Sequence, residues 1–300
     1  MFRPMTATLP ATRHQFFSLA RVGAIASNTL LELVRLKVFY FLLIFALLLI
    51  GSSAFFAKLS FQEQFQMLKN FALGAMSIFT WLLAVLATAM MLPKDIEDRT
   101  LYTILAKPVP RFEYLLGKLL GVLALLFVAL SFMCVMFVIV LYAREQSGIA
   151  DAVRENPPAQ VAAAIEQVKA ATFTTSLIPC IVVIYLKAAL CAALTLLLST
   201  FATSSIFTIM VAVVVYLIGH VQPIAREYWL ASASVGAPTK IFLALISLVF
   251  PDLTAFDLVD DILVGNIIAF GLFMKTVALG VTYIAVYFLA GYFMFSAKEL

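Results

Sequence analysis

The stretch LPKDIEDRTLYTILAKPVPR, residues 92–111, decides how the rest of this sequence is interpreted. It carries seven charged residues and three prolines, although 64% of the 300-residue chain is hydrophobic. Long apolar segments adjoin it on both sides. A polar, turn-rich segment between two apolar ones is typical of a loop that joins two membrane-crossing helices.

The composition of the whole chain supports this interpretation. Charged residues make up 12% of the sequence, against about 25% in a typical soluble domain, and the mean hydropathy is +1.08. We therefore predict an all-α integral membrane protein with one transmembrane domain over residues 1–300. No basic tract indicates nucleic-acid binding, and no nucleophile, base or paired-carboxylate pattern indicates an enzyme.

The three cysteines lie in apolar segments. They have neither CxxC spacing nor a neighbouring histidine, so we expect small buried side chains rather than a disulfide or a metal site. They are Cys134, Cys180 and Cys191.

Six apolar segments are long enough to cross a bilayer, which takes about 20 residues per helix. The fourth and fifth are separated by STFATSS, residues 199–205, a break made of small polar residues. The predicted spans are 38–57, 71–92, 119–143, 174–199, 203–220 and 276–297.

Two shorter apolar runs, 241–251 and 262–274, flank the acidic turn PDLTAFDLVDD, residues 251–261. Neither run is long enough to cross alone, so we predict re-entrant or interfacial helices before the last span. A tilted hairpin of two true spans is the alternative.

The distribution of Lys and Arg predicts the orientation. With a cytoplasmic start, the inner segments hold 11 basic residues and the longer outer segments hold 8. The positive-inside rule then places both termini in the cytoplasm of a cell inner (plasma) membrane. The predicted inner segments include 1–37 and 93–113, and the outer loops include 144–172 and 221–275.

The opening stretch itself suggests a short helix across the cytoplasmic face. We expect Pro93 to end the preceding helix and residues 94–106 to form the short one. Acidic residues in its first turn and Lys107 at its end suit the helix dipole. The residues alone leave two interpretations open: a docking lever, or a loop that only connects two spans.

The same stretch resembles the signature of the type-2 export permeases of ABC transporters, in which a loop with an E-x-E-x-G-T pattern precedes L-x-x-L-L-x-x-P-V-x-R and then G-K. Asp95 replaces a Glu of that pattern, and Arg99 stands where Gly is common. The segment RVGAIASNTLLELVRLKVFY, residues 21–40, resembles the family's amphipathic interface helix. The matching residues are Asp95, Glu97, Thr100, Leu101, Ile104, Leu105, Pro108, Val109, Arg111, Gly117 and Lys118.

The resemblance implies a permease subunit that binds no cofactor itself. A separate ATPase subunit would bind ATP and Mg²⁺, and a second permease copy, most simply an identical one, would complete the transporter in the membrane lipid. The chain's GK at Gly117 is followed by Leu119, and Phe112 stands where a phosphate-binding loop needs Gly, so the sequence agrees. The resemblance assigns coupling to the ATPase to Asp95, Glu97, Arg99, Thr100, Leu101, Leu105, Pro108 and Arg111.

Several residues inside or beside the spans carry further expectations. Gly117 and Gly121 form a GxxxG that favours close helix approach or occurs by chance, and Lys118 beside them is expected to reach the inner headgroups. Lys187, in the middle of the fourth span, is a candidate for the substrate path, where it would meet an anionic group; a structural ion pair is the alternative. His220 is expected to be a structural hydrogen-bonding group.

Two other functions fit a chain of this kind. An ion-gradient-driven transporter would need acidic residues deep in its spans and an internal repeat, and the sequence shows neither. A membrane scaffold that transmits force without moving cargo is the second alternative. Nothing in the spans selects a cargo, although the apolar spans and Lys187 favour a lipid-like amphiphile.

Overall fold

The computed structural model describes residues 17–56, 61–97, 110–202, 204–231, 238, 250–257 and 270–297. All regular structure in these residues is helical, which confirms the predicted all-α class. Two 3₁₀ turns, Ser53–Phe56 and Thr254–Phe256, accompany the α-helices. The α-helices are α1 Leu19–Val34, α2 Lys37–Ser52, α3 Phe61–Glu97, α4 Arg111–Glu155, α5 Val161–Thr172, α6 Leu177–Phe201, α7 Ser205–Ala231 and α8 Phe270–Ala297.

The described part of the chain contains five stretches long and apolar enough to cross a membrane. A sixth results if α1 and α2 are counted together, because the two helices bend by 68° at their junction. The predicted first span corresponds to α2 and the 3₁₀ turn after it, but α2 alone has 16 residues. At about 1.5 Å per residue it is shorter than a hydrocarbon core of about 30 Å.

Three predicted boundaries were wrong. Pro93 does not end a helix, because α3 continues through it to Glu97; spans tolerate an internal proline when neighbouring groups satisfy the freed carbonyl. The last span begins at Phe270, before the predicted 276. The predicted break at 199–205 is confirmed, since α6 ends at Phe201 and α7 begins at Ser205.

The segment predicted as the external loop 144–172 is mostly helical. α4 extends to Glu155, and α5 follows after the turn at Pro157 and Pro158. Gly148 explains the packing, because a Cβ there would lie 3.2 Å from Val168 of α5 and 3.6 Å from Phe65 of α3. The end of α4 therefore continues as a helix in contact with α3 and α5.

α6 lies in the centre of the bundle, in contact with α3, α4, α7 and α8. Its residues from Lys187 to Leu196 are all buried. Buried threonines satisfy their hydroxyls within their own helices: Thr195 donates to the carbonyl of Cys191 at 2.7 Å, and Thr88 to that of Ala84 at 2.7 Å. Such internal pairing removes the cost of a hydroxyl in an apolar environment.

The helices alternate in direction, so the bundle has two distinct ends. The end of α3 at Glu97 and the start of α4 at Arg111 lie at one of them, which we call the loop end. The last turn of α8 also lies there, because Arg111 contacts it. Residues 98–109, the centre of the coupling motif, leave and re-enter the bundle at this end.

Candidate functional site

Both ends of the 98–109 segment are held to each other by a buried carboxylate. Asp95, in the last turn of α3, accepts a hydrogen bond from the Tyr114 hydroxyl of α4. The Lys118 ammonium, one turn further along α4, lies 2.6 Å from the same carboxylate. Asp95, Tyr114 and Lys118 are all buried. The expectation that Lys118 reaches lipid headgroups was therefore wrong, because a carboxylate within the protein neutralises it instead.

α1 joins the same network through Glu32. One Glu32 oxygen lies 2.7 Å from the Lys94 ammonium, and the other lies 3.8 Å from that of Lys118. The loop-end cluster thus consists of Glu32, Lys94, Asp95, Tyr114 and Lys118. It pairs two carboxylates with two ammonium groups, so desolvation of each charge is offset by an opposite charge close by.

The GxxxG at Gly117 brings α1 close enough for these contacts. A Cβ on Gly117 would lie 2.7 Å from Ile25 of α1, and one on Gly121 would lie 2.6 Å from Thr29. Real Cβ atoms do not approach that closely, so any larger residue would push α1 outward. The close helix approach predicted from this spacing is confirmed, and its partner is α1.

A second ion pair fixes the start of α1 to the start of α4. The Arg21 guanidinium donates to both Glu113 oxygens, at 2.6 and 2.9 Å, and the backbone N–H of Ser18 donates to the same carboxylate at 2.9 Å. Glu113 is buried while Arg21 remains partly exposed. α1 is therefore held to α4 at both its first and last turns.

Arg111 connects the loop to the last helix. Its Nη1 donates to the backbone carbonyls of Phe295 and Ser296, at 3.1 and 2.8 Å. These carbonyls belong to the last turn of α8, which carries the negative end of the helix dipole. A cation in this position satisfies acceptors that have no partner within their own helix.

The structure describes only part of the predicted coupling set. It places Asp95 and Arg111 in contacts within the protein, and it describes the backbone of Glu97 as the last residue of α3. The other coupling residues lie outside the described residues; they are Arg99, Thr100, Leu101, Leu105 and Pro108. Glu32 and Glu113 were missed by the sequence reasoning, although the small-residue face of α4 did indicate where α1 would pack.

A second ion cluster lies among α6, α7 and the chain before α8. The Lys187 ammonium is 2.7 Å from Asp257 and 3.2 Å from Nε2 of His220. Lys187 is 3% exposed, whereas the side chains of His220 and Asp257 are 28% and 38% exposed. We call these three residues the Lys187 cluster. Asp257 is the acidic partner in the structural ion pair that the sequence left open, and a role for Lys187 in the substrate path stays a prediction.

Hydrogen-bond geometry assigns the neutral His220 tautomer. Nδ1 lies 3.0 Å from the carbonyl of Tyr216, which can only accept, so Nδ1 carries the proton. Nε2 is then free to accept from Lys187. Burial alone would raise the pKa of Asp257, but the hydrogen bond from His220 and the charge of Lys187 outweigh it and lower that pKa below its ordinary value.

Asp257 is carried by a non-helical segment that lies inside the bundle. Residues 251–257 pack through buried Leu253 and Phe256, and the backbone N–H of Leu253 donates to the carbonyl of Gly219 at 3.1 Å. A Cβ on Gly219 would meet Leu253 at 2.8 Å, and one on Gly280 would meet Phe256 at 3.0 Å. This placement agrees with the re-entrant interpretation for the acidic turn; residues 241–249 and 258–269 lie outside the described residues.

Comparison with known proteins identifies the family. The family model described as ABC-2 family transporter protein matches residues 23–300. The chain belongs to this family. It is a multi-pass membrane protein and a permease subunit of an ABC transporter, a class that works with an ATP-binding ATPase partner. A comparison with curated proteins finds no match.

The described residues of this ABC-2 permease offer no metal centre. Across the described ranges, no group of three or more His, Cys, Asp or Glu side chains is placed to hold a metal ion. Within the described chain all three cysteines are free: Cys180 and Cys191 are buried and Cys134 is partly buried. The chemistry that these residues support is ion pairing and docking.

Proposed function

We propose that this ABC-2 permease is an export subunit and that residues 98–109 couple it to a separate ATPase. The observation that carries the proposal is the loop-end cluster. Asp95 and Tyr114, on either side of the segment, are joined by a buried hydrogen bond, and Lys118 and Glu32 extend the contact to α1. A loop that served only to connect two spans would not need this network.

Buried charge pairs make the loop end move as one body. Separating Asp95 from Lys118 would leave an unpaired charge out of water, which costs several kcal/mol. Displacement of residues 98–109 by a docked protein is therefore transmitted to α1 through Glu32 and to α8 through Arg111. A small displacement at one surface reaches three elements of the bundle.

The structure divides the predicted coupling residues into two groups. Asp95 and Arg111 contact groups of this chain, so we assign them to transmission within the permease. The proposed contacts with the ATPase are the remaining residues: Glu97, Arg99, Thr100, Leu101, Leu105 and Pro108. Their mixture of charged and apolar side chains suits a groove on a soluble subunit.

The proposed assembly contains two permease copies, most simply identical, and two ATPases that bind ATP and Mg²⁺. The loop end faces the cytoplasm of the inner membrane, with both termini on that side, as the excess of basic residues in those segments supports. Closure of the ATPases on ATP would then tilt the spans and release cargo outward.

The experiment is a pull-down of tagged protein in mild detergent, followed by an ATPase assay on what is retained. Glu97→Ala should release the ATPase. Asp95→Asn and Arg111→Ala should retain it but lose most of the stimulation of hydrolysis by the permease. Arg154→Ala is the matched control, because Arg154 is exposed at the other end of α4 and should change neither readout.

If no protein that hydrolyses nucleotide is retained, the coupling proposal fails. The ion-gradient-driven transporter or the scaffold would then be the better interpretation. If Arg154→Ala disturbs stimulation as much as Arg111→Ala does, the effect is general and does not pass through the loop end.

A further inference from the structure

We propose that Lys187 binds the anionic head of an amphiphilic cargo, and that Asp257 occupies this position when no cargo is bound. The inference rests on the proposed transport function and names its substrate class. It follows from which partners of Lys187 are fixed, which can leave, and what lies beside them.

Lys187 needs a negative partner at all times. Its ammonium is 3% exposed on a central helix, and a charge at such a depth is costly unless it is paired. In the structure, Asp257 at 2.7 Å and the neutral His220 nitrogen at 3.2 Å accept from it, and the Tyr216 ring lies 5.7 Å away. These contacts use its donors, so an anionic ligand must replace Asp257 rather than add to it.

Asp257 is the member of the pair that can leave. Lys187 and His220 are carried by α6 and α7, whereas Asp257 follows a short 3₁₀ turn outside the α-helices. Its side chain is 38% exposed, so its carboxylate can turn toward polar surroundings while that of a buried helical residue could not. When it leaves, the buried ammonium remains and requires another anion.

The same segment also covers an apolar crevice. Leu253 lies four residues before Asp257 and packs into the crevice from the segment side. Withdrawal of the segment therefore exposes an apolar surface and a cation together, which is the combination that an amphiphile with an anionic head requires. The lining residues include Trp81, Leu190, Leu194, Val215, Tyr216 and Leu253.

One polar atom in the crevice supports a ligand with acceptor oxygens. The indole Nε1 of Trp81 is buried, and among the described residues no acceptor lies within hydrogen-bond reach of it. The ring is stacked on Tyr216 with centroids 4.0 Å apart, which fixes its position. Buried indole N–H groups usually find a partner, and a carboxylate or phosphate head would provide one.

The test uses fluorescence quenching by brominated amphiphiles, since Trp81 lines the crevice. Full-length protein in phosphatidylcholine nanodiscs is titrated with 9,10-dibromostearate and with the corresponding dibromostearyl alcohol. No ATPase is present, so the result does not depend on coupling. Size-exclusion profiles establish that each variant is folded.

Wild-type protein should be quenched at lower concentration by the acid than by the alcohol. Asp257→Asn should lower the half-quenching concentration of the acid about tenfold or more, because removing an internal competitor raises the fraction of binding-competent protein. Lys187→Met should abolish the preference for the acid, and Lys187→Arg should restore it. Asp257→Glu, which keeps the competitor, should behave as wild type.

Three results would overturn the proposal. These are equal quenching of wild type by acid and alcohol, no gain in Asp257→Asn, and relief of quenching by an equal concentration of acetate, which would indicate a site for free anions. If Asp257→Asn is not monodisperse, wild type is compared with the Lys187→Met/Asp257→Asn double variant, which leaves no unpaired charge. The preference for the acid must then be present in the first and absent in the second.

Discussion

The two ion clusters of this permease use the same chemistry in different surroundings. In the loop-end cluster, Asp95 and Lys118 are both buried and both belong to long helices. In the Lys187 cluster, only the lysine is buried, and its carboxylate belongs to a short non-helical segment. The first arrangement resists separation and suits transmission of force. The second can separate, because one partner has somewhere else to go.

The largest expected effect separates these two arrangements. Lys118→Met should lower the free energy of unfolding by about 3–5 kcal/mol, since it leaves Asp95 buried without its cation. Lys187→Met should cost clearly less, because Asp257 can turn toward polar surroundings. Thermal unfolding in a mild detergent measures both.

Lys94→Met provides the matched control for this comparison. Lys94 pairs with the same Glu32 but is 44% exposed, so its loss should cost no more than about 1 kcal/mol. Equal destabilisation by Lys118→Met and Lys187→Met would contradict the distinction between a closed and a separable pair.

A smaller effect is expected where the loop-end cluster depends on helix approach. Gly121→Ala should destabilise by about 1–3 kcal/mol, the usual cost of overpacking, because its Cβ would lie 2.6 Å from Thr29. Gly74→Ala in α3 is the control, since a Cβ there meets nothing within 4 Å. It should be neutral or stabilising, because alanine favours a helix over glycine.

Differential scanning of the two glycine variants measures this prediction. A Gly121→Ala protein as stable as Gly74→Ala would mean that α1 does not pack against α4 as closely as the structure shows. The same protein should also lose part of the stimulation of the ATPase, since Glu32 would move away from Lys118.

The smallest effect concerns pH. The pKa of Asp257 is lowered in the folded protein, so its contribution to stability is present above the ordinary carboxyl pKa and is lost as pH falls through the folded value. The stability difference between wild type and Asp257→Asn should therefore stay constant from pH 7 down to about pH 4 and shrink only below that. Melting curves across this range test it, and a difference that already shrinks near pH 6 would refute the lowered pKa.

Much of the fold was predictable because bilayer thickness fixes the length of apolar segments. The break at 199–205 and the close approach at Gly117 followed from small residues alone. Helix ends were less predictable. Pro93 is a helix breaker in water, yet α3 continues past it, and the packing of Gly148 against Val168 that extends α4 depends on a residue 20 positions away.

The candidate site was predictable in position but not in contacts. The motif located the loop, and the depth of Lys187 indicated that it needed an anion. Which anion it meets was not predictable, because Asp257 is 70 residues away in sequence. For the same reason Glu32 appeared to be an ordinary polar residue of an amphipathic helix, and Lys118 an ordinary residue of a helix end.

The contacts of Arg111 also impose an order on biosynthesis. Glu32, Asp95 and Lys118 all lie within the first 118 residues, so their pairing can form as soon as α1, α3 and α4 have left the ribosome and entered the membrane. The carbonyls that Arg111 binds are made 184 and 185 residues after it. A nascent chain therefore carries an incomplete loop end until α8 is inserted, and docking to the ATPase is delayed until synthesis has passed that helix.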